Sequence, residues 1–222
     1  MSIVIAVDGT AASGKGTLAK RLARHFNFAH MDSGALYRLA ALAVLEAGGD
    51  PSNEADALRG ARAIDLTRAG DSAIRTDAVG RAASQVAAMP AVRTALHDFQ
   101  TAFLENPPGH SSGAVMDGRD IGTVIAPNAT AKLFVDAAPE IRARRRWLEL
   151  KAMGIERDPA GLLAEIVARD HADRTRQVSP LKQALDASLL DTTSLDIDAA
   201  FAAALALVKA KIEDALKARQ RG

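Results

Sequence analysis

The chain has 222 residues, 48% hydrophobic and 25% charged, and this composition excludes disordered and collagen-like proteins. Cysteine is absent, which excludes disulfides, thiolate metal sites and thiol nucleophiles. The formal net charge of +1 argues against a nucleic-acid partner.

Apolar segments alternate with helical patterns along the chain. Five segments resemble buried strands: Ile3–Val7, Ala29–Met31, Ala114–Met116, Lys132–Val135 and Ser188–Leu190. A helix is predicted after the first strand, where Leu18, Leu22 and Phe26 share one face. Further helices are predicted at Ser33–Ala47, Ala91–Leu104, Pro139–Met153, Pro159–Thr175 and Asp196–Ala218. The alternation predicts an α/β fold, a parallel sheet with helices on both faces. Four strands end on carboxylates, at the edge where ligands collect: Asp8, Asp32, Asp117 and Asp136.

A glycine-rich loop follows the first strand. Its sequence, Gly9-Thr10-Ala11-Ala12-Ser13-Gly14-Lys15-Gly16-Thr17, has the spacing of a phosphate-binding loop. Backbone N–H groups, the start of the next helix and Lys15 would hold a polyphosphate, which predicts ATP or GTP as a ligand. A merely flexible loop is the alternative, and the strand and helix on either side disfavour it. Gly16 stands where a hydroxyl residue commonly ligates Mg²⁺, so Thr17 is the candidate metal contact, direct or through water.

Arginines are clustered in two places, at 142, 144, 145 and 146 and at 169, 174 and 176. Like charges one turn apart destabilise a helix, so the clusters favour anion binding. The alternative is a solvated face neutralised by neighbouring acids, namely Glu140, Glu149, Asp170 and Asp173. The phosphate-binding loop upstream favours the first interpretation.

Several motifs resemble those of bacterial cytidylate kinases. They are the loop at 9–17, Met31-Asp-Ser-Gly-Ala-Leu-Tyr-Arg38, Ser84-Gln-Val-Ala-Ala-Met-Pro90 with Arg93, Asp117-Gly-Arg-Asp-Ile-Gly-Thr123 and Arg169-Asp-His-Ala-Asp-Arg-Thr-Arg176. The resemblance implies a P-loop kinase core of five parallel strands in one domain, 1–222. It also implies a monophosphate-binding insert over about 48–90 and a short lid over about 142–160. The insert is expected to be reduced, because residues 64–74 are too few for the small sheet of longer members.

The resemblance also implies an activity, the transfer of the γ-phosphoryl group of ATP, with Mg²⁺, to CMP or dCMP. Residues 9–17 and Arg145 would then bind ATP, while Lys15, Arg119 and Arg176 would be catalytic. The substrate-binding residues implied are Ser33, Tyr37, Arg38, Ser84, Arg93, Asp117, Arg119, Asp120, Arg169, Asp173 and Arg176. Arg93 would donate to cytosine and Asp120 would accept from its amine. Uracil is disfavoured, because its O4 would face Asp120 as a second acceptor.

Two other functions stay open at this point. A different small-molecule kinase could use the same loop and arginines with another acceptor. A GTP-dependent switch is the second, although no asparagine is followed by the lysine of the guanine-binding signature. No stretch has the ~18 apolar residues of a membrane span, and no secretory signal pattern is present. We therefore expect a cytoplasmic monomer whose partners are small nucleotides rather than membranes.

Overall fold

A computed structural model describes residues 2–220 of the chain and places a five-stranded parallel sheet at its centre. The strands are β1 (Ile3–Gly9), β2 (Ala29–Asp32), β3 (Gly113–Gly118), β4 (Ala131–Asp136) and β5 (Ser188–Asp191). Their spatial order is β2-β3-β1-β4-β5, and in this register Val7 lies between Asp117 and Leu133. The five predicted strands and the parallel sheet are confirmed, with β1 in the middle and its phosphate-binding loop at the carboxyl edge.

Eight α-helices surround the sheet within residues 2–220. They are α1 (Lys15–Phe26), α2 (Ser33–Glu46), α3 (Glu54–Arg62), α4 (Asp77–Val86), α5 (Pro90–Glu105), α6 (Pro139–Ala152), α7 (Pro159–Thr175) and α8 (Ile197–Gln220). The six predicted helices are confirmed to within a few residues. Proline occupies the first position of α5, α6 and α7, where its missing N–H is not needed. None of the helices in the described range is long and apolar enough to cross a membrane.

The segment between α2 and α5, where the sequence predicts an insert, contains α3 and α4. Residues 47–89 include no strand, and two short 3₁₀ turns at Leu66–Gly70 and Ser72–Arg75 join the two helices. Helix α3 packs closely on α2 through Gly60, where a Cβ atom would lie 2.5 Å from the carbonyl oxygen of Ala40. Glycine inside a helix lowers helix propensity, which explains why α3 was not predicted. The lack of a strand agrees with the expectation that residues 64–74 are too few for a small sheet, and the role of the segment as an insert stays a prediction.

Both faces of the sheet are buried by apolar side chains. Helices α1 and α8 cover one face, where Leu22 and Val208 are fully buried against β1 and β4. Met116 and Ile121 belong to the core on the opposite face. A further cluster holds α2 to the insert and to α5. The strands therefore sit between packed layers, and the open carboxyl edge of the sheet is left for ligands.

Candidate active site

A cavity of about 750 Å³ opens at the carboxyl edge of the sheet. Its wall comes from the phosphate-binding loop, from α2, α4, α5, α6 and α7, and from the connection between β5 and α8. Among the described residues, nine basic and six acidic side chains line it. This surplus of positive charge favours polyanionic ligands.

The structure gathers the predicted site residues in this cavity, with two exceptions. Every one of them from Ala11 onward lines the wall. Gly9 and Thr10 lie beneath it. A Cβ atom on Gly9 would fall 2.0 Å from the carbonyl oxygen of Val135, and the Thr10 hydroxyl donates to Asp136 at 2.6 Å. These two residues anchor the loop to β4, and their contact with a nucleotide stays a prediction.

The phosphate-binding loop, residues 9–17, curves over the start of α1. Gly14 caps that helix with a φ of 88°, a left-handed conformation that a glycine adopts without strain. Lys15 reaches back across the loop, and its ammonium donates to the carbonyl oxygen of Thr10 at 3.3 Å. Burial and the nearby charge of Arg119 lower the pKa of Lys15 to about 7. A bound anion would favour the charged form of this lysine.

The arginine clusters divide into structural and cavity-lining members. Arg142 is only 2% exposed and pairs with Asp170 at 2.6 Å, as the counterion interpretation expects. Arg146 pairs with Glu149 at 2.8 Å. The members that line the cavity are Arg145, Arg146, Arg169 and Arg176. The neutralised interpretation thus holds for Arg142 and Arg146, while anion binding by the members that line the cavity stays a prediction.

Arg145 holds the connection that follows β5. Its guanidinium donates to the Thr192 hydroxyl at 3.0 Å, to the Thr192 carbonyl oxygen at 2.6 Å and to that of Leu195 at 3.2 Å. Leu195, Ile197 and Ala200 line the cavity beside it. This apolar stretch next to the phosphate-binding loop offers a surface for a flat base. No sequence motif marks it.

A buried ion pair joins Arg93 to Asp120 on another part of the wall. The guanidinium of Arg93 lies 5.4 Å from the centre of the Tyr37 ring and donates to the carbonyl oxygen of Ala87 at 3.2 Å. Arg176 lies 3.8 Å from the same Asp120 carboxylate. The groups predicted to read a base are thus held in place by one another.

Two arginines present unsatisfied donors. Arg169 Nε and Arg176 Nη2 are buried, and neither has a hydrogen-bond partner among the described residues. Burial, together with the charge of Arg119, lowers the pKa of Arg169 to about 10. Buried donors without partners cost free energy, and an anion in the cavity would satisfy both. Arg38 is oriented by the insert, because it donates to the carbonyl oxygen of Ile74 at 2.7 Å.

The sequence marks Asp8 only as the end of a strand, and the structure gives it a supporting role. Its two carboxylate oxygens accept from the backbone N–H groups of Ile121 at 2.8 Å and Gly122 at 2.7 Å. These residues begin a single π-helical turn, Ile121–Ile125, directly after Arg119 and Asp120. Burial raises the pKa of Asp8 to about 6. Asp8 thereby ties the root of the phosphate-binding loop to the turn that directly follows Arg119 and Asp120, which line the cavity.

Asp117 stands at the end of β3 and faces the phosphate-binding loop. One of its carboxylate oxygens hydrogen-bonds His30 Nε2 at 2.8 Å. A Cβ atom on Gly16 would lie 3.4 Å from the other. The carbonyl oxygen of Asp117 accepts from the Ser33 hydroxyl at 2.8 Å. His30 therefore orients this carboxylate, a contact that only the neighbouring positions of β2 and β3 could reveal.

Known proteins resemble this chain along nearly its whole length. The sequence model of the cytidylate kinase family matches residues 5–210. A cytidylate kinase from Nitrobacter winogradskyi is 54% identical over 93% of this chain and 96% of its own length. A cytidylate kinase from Rhodopseudomonas palustris strain TIE-1 is 53% identical over 94% of this chain and 96% of its own length.

Two solved structures share the fold. An uncharacterised protein from Eubacterium ventriosum aligns with a TM-score of 0.52 and 14% identity, over 93% of this chain and 98% of its own. A gluconokinase from Sinorhizobium meliloti aligns with a TM-score of 0.50 and 13% identity, over 97% of this chain and 96% of its own. At such identities the likeness concerns the fold alone.

Proposed function

Because the chain belongs to the cytidylate kinase family and phosphorylates CMP and dCMP with ATP, we propose that its cavity holds donor and acceptor nucleotides together. Phosphoryl transfer asks a protein mainly to position two anions and to neutralise charge. The observation that carries the proposal is the pair of buried, unsatisfied donors on Arg169 and Arg176, in the cavity that Lys15 also lines.

The donor nucleotide lies on the phosphate-binding loop in this proposal. Backbone N–H groups of residues 12–17 and the ammonium of Lys15 hold the phosphates of ATP, at the positive end of α1, while Ala11 lines the cavity beside them. The adenine rests against Leu195 and Ile197, which line the cavity next to the loop. Arg145 supports that apolar wall and lines the cavity, where it would contact the ATP.

The residues present fit a magnesium ion between loop and sheet. Mg²⁺ in kinases commonly takes one or two carboxylates, substrate phosphates and water. Asp117 and Thr17 both line the cavity, and a Cβ atom on the intervening Gly16 would lie 3.4 Å from Asp117 Oδ2. The Asp117 carboxylate and the Thr17 hydroxyl would hold the ion directly or through water. Among the described residues no cluster of three or more metal-ligating side chains occurs, so the nucleotides must complete the shell. The ion would neutralise charge on the transferred phosphoryl group.

The acceptor phosphate is bound by arginines in the same proposal. Arg38, Arg119 and Arg176 line the cavity and supply planar forks that match phosphate oxygens. Arg119 and Arg176 also face the transferred group and stabilise its charge, so with Lys15 they form the catalytic set. No general base is needed, because the acceptor phosphate is already anionic near neutral pH.

The base and the sugar of the acceptor nucleotide are bound by the remaining predicted residues. Ser84 and Arg93 donate to cytosine, while Asp120 accepts from its amine. Arg169 and Asp173 hold the sugar. Ser33 and Tyr37 complete the wall, with Tyr37 fixed beneath the Arg93 guanidinium. This arrangement explains a preference for cytosine over uracil through the carboxylate of Asp120.

The lid proposed over about 142–160 comprises most of α6 and its connection to α7. Closure would exclude water, which could otherwise accept the phosphoryl group. The ion pair between Arg157 in this connection and Asp77 at the start of α4 supports a lid that meets the insert.

The near-neutral charge of +1 and the absence of cysteine support a cytoplasmic enzyme that acts on free nucleotides. We propose that it works as a monomer, since one chain supplies every predicted contact.

The decisive experiment measures ADP release from ATP with CMP, dCMP, UMP, AMP, shikimate and gluconate as separate acceptors. CMP and dCMP should be the best substrates, and Lys15→Ala should abolish turnover. Removal of Mg²⁺ with a chelator should have the same effect as Lys15→Ala. Equal activity with UMP or AMP would leave the kinase assignment intact and overturn the base-reading roles of Ser84, Arg93 and Asp120.

A further inference from the structure

One residue of the phosphate-binding loop is held from two helices at once. Ala11 lines the cavity, and its carbonyl oxygen accepts from Arg142 Nη1 of α6 at 3.0 Å. Its N–H points to Asp170 Oδ1 of α7 at 3.4 Å. Arg142 and Asp170 are themselves paired, Nη2 to Oδ2, at 2.6 Å. Both ends of this loop residue are therefore held by one buried ion pair.

The cost of burying this pair indicates a role other than stability. Removing two charges from water is expensive, and apolar residues of similar volume often stabilise a fold as well or better. Arg142 is 2% exposed, and its third guanidinium nitrogen, Nε, donates to the carbonyl oxygen of Ala137 at 2.7 Å. Its guanidinium thus has a fixed orientation, with one edge directed at Ala11.

Asp170 also connects two parts of the cavity. It lies on α7 directly after Arg169 and three residues before Asp173, both of which line the cavity. A ligand that contacts Arg169 and Asp173 therefore restrains the turn of helix that carries Asp170. Through Asp170 that restraint reaches Ala11, where the other nucleotide binds.

We propose that Arg142 and Asp170 form a positioning pair that couples the acceptor nucleotide on α7 to the donor nucleotide on the phosphate-binding loop. This inference rests on the nucleotide positions proposed above. Coupling of this kind is reciprocal, so CMP tightens the binding of ATP by the same factor by which ATP tightens the binding of CMP. Neither residue touches a nucleotide in this scheme.

The test measures the dissociation constant of a non-hydrolysable β,γ-imido analogue of ATP by calorimetry, with and without saturating CMP. The ratio of the two constants is the coupling factor, expected at about 5-fold or more in the unchanged protein. Asp170→Asn should bring the ratio below about 2-fold, while the affinity for CMP alone stays within about 3-fold. Arg144→Lys is the matched control, because Arg144 is exposed on the same helix and should leave the ratio unchanged.

A second variant separates coupling from folding. Arg142→Met combined with Asp170→Leu keeps volume and removes both charges, so the packing of α6 on α7 survives if Asp170→Asn does not fold. This variant should also lose the coupling factor. An unchanged ratio in a folded variant, or a ratio of one in the unchanged protein, would overturn the inference. Failure of the unchanged protein to bind CMP or the ATP analogue would instead refute the proposed function.

Discussion

Arg119 and Asp173 are bound to each other across the cavity, with Arg119 Nε 2.7 Å from Asp173 Oδ2. The first follows β3 and the second lies on α7, 54 residues later in the chain. Although burial opposes ionisation, the charge of Arg119 holds the pKa of Asp173 below its ordinary value. The pair therefore keeps a charged arginine and a charged carboxylate side by side where the acceptor nucleotide is proposed to bind.

Asp173→Asn should impair use of the acceptor and spare the donor. The amide no longer fixes Arg119 through a charged hydrogen bond and accepts less well from a sugar hydroxyl. Such bonds are worth about 1.5–3 kcal/mol, so kcat/KM for CMP and dCMP should fall about 10- to 100-fold. Steady-state kinetics with each nucleotide varied in turn would measure this. A comparable rise in the KM for ATP would contradict an acceptor-specific role.

Lys15 should take up a proton when ATP binds. Its pKa of about 7 means that about nine-tenths of it is neutral at pH 8, and bound phosphates favour the charged form. Calorimetry at pH 8 in two buffers of different ionisation enthalpy should show uptake of about 0.9 proton per site. Lys15→Arg, which stays charged, should show none. Equal uptake by the two proteins would assign the proton to another group.

The same lysine predicts how stability depends on pH. Its pKa is about 7 in the folded protein and 10.5 as an ordinary lysine, so the unfolded chain binds more protons between these values. The free energy of unfolding contributed by Lys15 therefore rises with pH across this window and is flat below it. Urea unfolding of the nucleotide-free protein at pH 7, 8 and 9 would measure the slope. Lys15→Met should remove this contribution, and an unaltered slope would count against it.

The strands and the phosphate-binding loop could be predicted because their signals are local. A buried parallel strand is a continuous apolar run, as in Ile3–Val7, and the loop has a fixed spacing of glycine and lysine. Helix α3 is not predicted, because Gly60 weakens its local signal. Its close contact with Ala40 becomes visible only when α2 and α3 are packed together.

The partners of the aspartates that end strands could not be predicted. Asp8, Asp32, Asp117 and Asp136 all end strands, yet only Asp32 and Asp117 line the cavity. Asp8 is buried and Asp136 is partly exposed, and both accept hydrogen bonds from the protein itself. Whether such an aspartate lines the cavity or bonds to the protein depends on neighbouring strands and on chain segments more than 100 residues away. A local sequence pattern contains no information about these partners.

Asp120→Asn should weaken the discrimination between cytosine and uracil. A carboxylate only accepts hydrogen bonds, whereas an amide can donate to the O4 atom of uracil. The ratio of kcat/KM for CMP to that for UMP should fall about 10- to 100-fold. Asp98→Asn is the matched control, because the Asp98 side chain is 97% exposed. If Asp120→Asn left the ratio of kcat/KM for CMP to that for UMP unchanged, as the control should, cytosine would have to be recognised by other groups.

Nucleotide binding should protect the proposed lid, residues 142–160, from amide hydrogen exchange. The ATP analogue with CMP should slow exchange there, because closure would order the connection between α6 and α7.

Arg157 pairs with Asp77 and, at 2.6 Å, with Glu165, so Arg157→Gln should speed exchange in the free protein. The increase should be about 2- to 5-fold, because partly exposed ion pairs contribute only about 0–1 kcal/mol. Arg59→Gln removes an exposed pair on α3 and should leave exchange at 142–160 unaltered. Exchange across 142–160 that is equally fast with and without nucleotides would exclude a lid.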